Sequence, residues 1–266
     1  MRIVDIDAEP LHTLEYLDAA PRGGTQLRAL PIHRGRVHGL PSQLDALVIT
    51  SDLQGRAQVR EHGGESRLLG EALVEELADL ADLEVIPPLD LCGAILAGDL
   101  YAAPGANKMG ATGDVREVWR AFAAAFRWVA GVAGNHDLFG APQEQARFGR
   151  EPGIHLLDGQ TVGLDDLRIA GVAGICGRPG KPNRRPPEDF EAAITALLHA
   201  RPDLLVLHEG PDSGLGRGNP RVRALVEDKR ALVVCGHAHW HEPLAELAGG
   251  AQVLNVDARV VVLEGA

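Results

Sequence analysis

Short apolar runs recur along the chain, each closed by a glycine or a polar cluster. Leu47 to Ile49, Ala94 to Leu96 and residues 129–132, 204–207 and 232–234 are rich in β-branched side chains and do not alternate with polar residues. Runs of this kind predict strands buried on both faces. Between them the spacing turns helical. Leu69, Leu73, Leu77 and Leu80 share one face, as do Val115, Val118, Trp119, Phe122 and Phe126, and then Phe190, Ile194, Leu197 and Leu198. Strand, helix and strand in repetition predict an α/β architecture.

The last thirty residues break the alternation. Val253, Leu254, Val256, Val260, Val261 and Val262 have no helical stretch between them and predict adjacent antiparallel strands. A mixed sheet, or two packed sheets, accommodates both halves. Pro10, Pro21, Pro31 and Pro41 punctuate the beginning, so residues 1–44 are expected as an extended lead-in packed on the core and 45–266 as a single domain. Neither a Pro/Ser-rich linker nor an internal repeat divides the chain.

Composition narrows the function classes. Of 266 residues, 45% are hydrophobic and 24% charged, which supports an ordinary core. The 26 Lys and Arg against 37 Asp and Glu give a formal charge of −11. That balance disfavours nucleic acid as a partner, because such binding neutralises phosphates with basic side chains. No apolar run approaches the roughly 18 residues that cross a bilayer, and residues 1–7 lack the apolar segment of a signal peptide. Three cysteines, Cys92, Cys176 and Cys235, are too few and odd in number for a disulfide framework. The expectation is a reduced, cytoplasmic domain without a membrane partner.

Each of the five predicted strands ends in a polar group. The ends read Asp52-Leu53-Gln54, Gly98-Asp99, Gly134-Asn135-His136-Asp137, His208 and Gly236-His237-Ala238-His239. In open α/β sheets the carboxyl ends of strands gather where ligands bind, so five such ends are expected to converge. Carboxylate, amide and imidazole donors without a thiolate suit Mn²⁺, Fe or Zn²⁺. One carboxylate can bridge two ions, and a pair about 3.5–4 Å apart clamps both the attacking and leaving oxygens of a phosphate ester.

This ordered set resembles the calcineurin-like metallophosphoesterases, whose pattern runs D-x-H, G-D, G-N-H-D/E, H and G-H-x-H. All five blocks are present in order from Asp52 to His239, with Gln54 where the first His is expected. The resemblance implies a four-layer α/β/β/α sandwich with two mixed sheets and two divalent metal ions, Mn²⁺ foremost, with Fe, Zn²⁺ or Mg²⁺ as alternatives. It implies Asp52 and His239 at the first metal, with Gln54 as an extra ligand, and Asp99 as the bridge. Asn135, His208 and His237 would hold the second ion. His136 would sit outside the metal shell, hydrogen-bonding the phosphate and helping the leaving oxygen depart, while a hydroxide shared by the ions attacks phosphorus in line.

Two departures refine the implied substrate. The D-x-Q block resembles the Mn²⁺-dependent ADP-ribose/CDP-alcohol diphosphatase branch, which points to small-molecule phosphodiesters or nucleotide pyrophosphates. Gly98-Asp99-Leu100-Tyr101-Ala102 lacks the continuation G-D-x-V-D-R-G of protein Ser/Thr phosphatases. A broad-specificity phosphomonoesterase and a non-catalytic module on the same fold are the alternatives. Arg178, Lys181, Arg184 and Arg185 form a basic loop that either clamps a far phosphate or is simply solvated. Tyr101 and Trp240, each within two residues of a candidate ligand, either stack on substrate or pack. Asp137 reads as a turn or supporting residue, and His241 as a surface residue or an alternative ligand. His12, His33, His38, His62, His155 and His199 read as structural or exposed.

Overall fold

The computed structural model describes residues 1–57, 66–214 and 216–266. His62 lies outside the described residues. Three strands open the chain, β1 (Arg2–Ile6), β2 (His12–Ala19) and β3 (Thr25–His38), followed by β4 (Ala46–Ser51) and β5 (Arg56–Ala57). Next come α1 (Leu69–Asp82), β6 (Cys92–Leu96), β7 (Gly113–Asp114), α2 (Arg116–Ala125), β8 (Trp128–Gly131), β9 (Asp137–Leu138), α3 (Pro142–Phe148) and β10 (Ile154–Leu156). A second half follows with β11 (Gln160–Leu164), β12 (Leu167–Val172), β13 (Ile175–Cys176), β14 (Arg184–Arg185), α4 (Pro187–His199) and β15 (Leu204–Glu209). The chain closes with α5 (Pro220–Val226), β16 (Leu232–Gly236), β17 (Leu244–Glu246), β18 (Gln252–Asn255) and β19 (Arg259–Gly265).

Two mixed sheets organise these elements. The larger runs β10-β8-β6-β4-β19-β3-β2-β5, with β1 also paired to β3, and the smaller runs β11-β12-β15-β16-β18-β17. Alternation along the smaller sheet shows its layering. Ile169, Leu204, Val206, Leu232, Val234 and Leu254 join the larger sheet's core. Their neighbours Ala170, Val172, Leu205, Leu207, Val233 and Val253 pack instead with Phe190, Ile194 and Leu197 of α4 and with Val222 and Val226 of α5. Since successive side chains point to opposite faces of a strand, this division places the smaller sheet between the larger sheet and two helices. Leu73 and Leu77 of α1 and Trp119 and Phe122 of α2 join the larger sheet's core. The result is an α/β/β/α sandwich.

All five apolar runs are strands and all three amphipathic stretches are helices. The segment expected as an extended lead-in supplies three strands, and β3 pairs in parallel with β19 from Val260↔Ile32 to Gly265↔Val37. One expectation is overturned: β18 and β19 are not adjacent antiparallel strands. β18 runs parallel to β16 in the smaller sheet, while β19 lies between β4 and β3 in the larger one. Both strands are buried on two faces, so their composition carries no record of which sheet each joins. Two helices, α3 and α5, are only seven residues long, below the length at which periodicity is legible. Their starts are nonetheless encoded, with Pro at the first turn of each and the Asn219 side chain accepting from Arg221 N at 2.9 Å.

Candidate metal centre

The carboxyl ends of β4 and β6 in one sheet and of β15 and β16 in the other meet at one end of the sandwich. Asp52 N donates to Gly98 O at 2.8 Å, His237 N to Asp52 Oδ2 at 2.9 Å, and His208 Nδ1 to Ala97 O at 2.8 Å. Asp52, Asp99 and His237 all adopt left-handed backbone conformations, with φ of 54°, 55° and 65°. Residues with a β-carbon rarely take this conformation, and it clusters at functional sites. Glycines make the close approach possible: a β-carbon on Gly236 would lie 2.2 Å from Asp52 Oδ2, and one on Gly134 would lie 2.1 Å from Asp99 Oδ1.

Three of the sequence-predicted residues form a tight cluster. One ligand atom from each of Asp99, His208 and His237 lies within 4.8 Å of the others. Asp99 sits at the junction of two groups, since its Oδ2 is 3.2 Å from Gln54 Nε2 and 3.3 Å from His208 Nε2. On the Gln54 side, a cavity of about 210 Å³ is lined by Asp52, Gln54, His239, Asp257, Tyr16 and Arg28, among others. Asn135, between Gly134 and His136 in the turn that contacts Asp99, is buried and its Oδ1 has no hydrogen-bond partner. His136 is half-buried, with its Nδ1 3.1 Å from Thr112 Oγ1 and its backbone N–H donating to Asp99 Oδ1 at 2.8 Å.

The donor set fits a divalent cation on the evidence of its orphaned atoms. His208 is fully buried, and its Nδ1–H is engaged by Ala97 O, so Nε2 faces Asp99 without forming a hydrogen bond. A buried amide oxygen left unpaired is costly unless something else satisfies it, and a neutral His208 would turn its Nε2 lone pair toward a carboxylate 3.3 Å away. The electrostatics agree. Burial pushes the Asp52 carboxyl up to about 8, Asp257 and Asp99 adding to the rise and His208 opposing it. Burial also works against charge on Asp99, but His208 and the His136 N–H hold that carboxyl below its ordinary value. At His208 burial opposes protonation, yet Asp99 and Asp52 outweigh it and lift the imidazole to about 10. A proton on His208 thus balances the carboxylates. Burial lowers His237, with His208 adding to the effect.

Asp137, from the G-N-H-D block, and Asn183, which the motif pattern does not mark, support these turns. Asp137 accepts three backbone N–H groups, from Asp99 at 2.8 Å, Gly134 at 2.8 Å and Leu100 at 2.7 Å, tying the G-D turn to the G-N-H-D turn. Burial, then the Asp99 charge, pushes its carboxyl up to about 6. Asn183 Nδ2 donates to Gly134 O at 2.7 Å and Asp137 O at 2.8 Å. In the basic loop, then, an amide touches the site turn. Arg178 and Lys181 are exposed, Arg184 lies in β14, and Arg185 pairs with Asp158 at 2.6 Å. Trp240 is buried in the smaller core with its indole N–H donating to Arg217 O at 2.9 Å. The Tyr101 ring packs where a β-carbon on Gly113 would stand, and Arg56 lies 5.9 Å from its centroid. His241 is exposed beside Glu242.

No family model and no curated protein matches the chain. Among solved structures it is similar to a 5'-nucleotidase precursor from Thermus thermophilus, at 15% identity and a TM-score of 0.44. That alignment covers 80% of this chain and 48% of the other, so the chain spans about half the length of that protein. It is also similar to a protein of unknown function from Aquifex aeolicus, at 16% identity and a TM-score of 0.36, covering 82% of this chain and 95% of the other. Among the described residues, no helix is long and apolar enough to cross a membrane.

Proposed function

We propose that this chain is a dinuclear metal-dependent phosphoesterase acting on small-molecule phosphodiesters or nucleotide pyrophosphates. The observation that carries the reading is the convergence of Asp99, His208 and His237, within 4.8 Å of one another, together with a buried, unpaired Asn135 Oδ1 in the turn whose His136 N–H donates to Asp99. Asp52, Gln54 and His239 would hold the first ion, Asn135, His208 and His237 the second, and Asp99 both. Bound ions would neutralise phosphate charge and lower the pKa of water to make it a nucleophile near neutral pH. Manganese is the preferred metal, because the Gln54 amide oxygen is a harder donor than the imidazole it replaces.

The protein's own groups account for the rest. His136 lies outside the proposed ligand set, and contact with Thr112 at Nδ1 leaves Nε2 to hydrogen-bond a phosphoryl oxygen or protonate the leaving oxygen. Asp137 and Asn183 hold the turn beneath it. The test is hydrolysis of bis-p-nitrophenyl phosphate and p-nitrophenyl phosphate with Mn²⁺. Stimulated turnover of the diester, lost in Asp99→Asn, is the expected result, and faster turnover of the monoester would point to a phosphomonoesterase. If neither ester is hydrolysed with Mn²⁺, Fe²⁺, Zn²⁺ or Mg²⁺, the proposal fails.

A further inference from the structure

Between β18 and β19 the chain crosses from one sheet to the other, turning at Ala258 with φ of 49°. Three alternate residues, Asn255, Asp257 and Arg259, grip successive parts of the segment from Ala238 to His241. Asn255, fully buried, donates from Nδ2 to Ala238 O at 2.8 Å. Asp257 Oδ2 lies 2.7 Å from His239 Nδ1. Arg259, also buried, donates to Trp240 O at 2.5 Å and to His241 O at 3.4 Å. The crossover is itself tied to the end of β4, since Ala258 N donates to Ser51 O at 3.2 Å, next to Asp52. It therefore clamps one set of candidate ligands to another.

We propose that Asp257 is a positioning residue that presents Nε2 of His239 to the first metal position; this deepens the dinuclear reading and rests on it. A neutral imidazole carries one N–H. A carboxylate accepting at Nδ1 keeps the proton there and leaves the lone pair on Nε2 free for a cation. The His239 side chain is 59% exposed, so packing alone does not fix its ring, whereas the Asp257 carboxylate is only 14% exposed. Asn255 and Arg259 hold the backbone on either side of this contact. Gln54 supplies only an amide at the same position, which leaves His239 as its one imidazole.

The test titrates the metal-free full chain with Mn²⁺ by calorimetry. Asp257→Ala is expected to weaken one of two binding events by about 10–100-fold and leave the other unchanged. Asp257→Asn, whose amide oxygen still accepts from Nδ1–H, is expected to recover most of the loss. Wild-type binding by Asp257→Ala would overturn the proposal. So would an Asp257→Asn variant as impaired as Asp257→Ala, since the carboxylate would then act as a ligand itself. Nitrogen-15 spectra of the metal-free protein at pH 8.5 provide a readout independent of loading. They should show His239 as the Nδ1–H tautomer in the wild type and a mixture in Asp257→Ala; a mixture in the wild type refutes the assignment. Failure of the wild type to bind Mn²⁺ at all would sink the dinuclear reading, and the spectra would still decide on Asp257.

Discussion

Left-handed backbone at Asp52, Asp99 and His237 costs about 1–2 kcal/mol per residue, and each of these side chains lies at the candidate centre. Contacts this close leave no room for an added methyl group. Gly134→Ala, whose β-carbon would meet Asp99 Oδ1 at 2.1 Å and Asp99 N at 2.2 Å, is expected to destabilise the protein by at least about 1–3 kcal/mol, read as a lowered urea midpoint. A different outcome is expected at His136. His136→Ala should lower kcat by about 10²–10⁴ while Mn²⁺ affinity stays at the wild-type level; a parallel loss of Mn²⁺ binding would place His136 among the ligands. The motif residues were legible in the sequence because each follows an apolar strand. Asp257, Asn183 and Thr112 were not, because their contacts with the site span 18, 49 or 46, and 24 residues of chain.

Elements whose side chains carry a strong period behave as the period predicts. The face of α4 that bears Phe190, Ile194 and Leu197 meets the smaller sheet, so Phe190→Ala should cost about 3–5 kcal/mol in urea unfolding, with the folded fraction still binding Mn²⁺. The N-terminal hairpin is harder to read. The β2 residues Tyr16 and Leu17 pair with Ala57 and Arg56 of β5, and a β-carbon on Gly55 would stand 2.2 Å from the Tyr16 ring. Gly55 directly follows Gln54, so this hairpin forms one wall of the cavity that Asp52, Gln54 and His239 also line. Its half-buried, interrupted pattern predicts an extended segment without revealing its partner.

On the proposed reading, protons and cations would compete for the whole site, and stability would depend on both. Asp52 and Asp137 carry carboxyl pKa values of about 8 and about 6 against an ordinary 3.8, and His208 about 10 against 6.5. Each binds its proton more tightly folded than unfolded. Each therefore adds stability at low pH that is lost as pH rises: from about 4 to 8 for Asp52, about 4 to 6 for Asp137 and about 6.5 to 10 for His208. Asp99 shifts the other way and matters only on acidification. The metal-free protein should show a falling Tm between pH 6 and 8.5, and Mn²⁺ should raise Tm most at the upper end, where fewer protons must leave. A flat Tm in chelator, or an equal Mn²⁺ effect at both limits, would contradict this balance.

What the sequence by itself determined was local: which runs are buried strands, which stretches are helices, and which polar groups stand at strand ends. Hydrophobic period and strand-terminal residue type are properties of neighbouring positions, so they are legible without a fold. The tertiary structure alone decided which sheet each strand joins, most clearly for β18 and β19, which carry the same apolar pattern into different sheets. It also decided that the crossover between them would place Asp257 against His239. Such contacts depend on how two sheets stack, and no short stretch of chain encodes that.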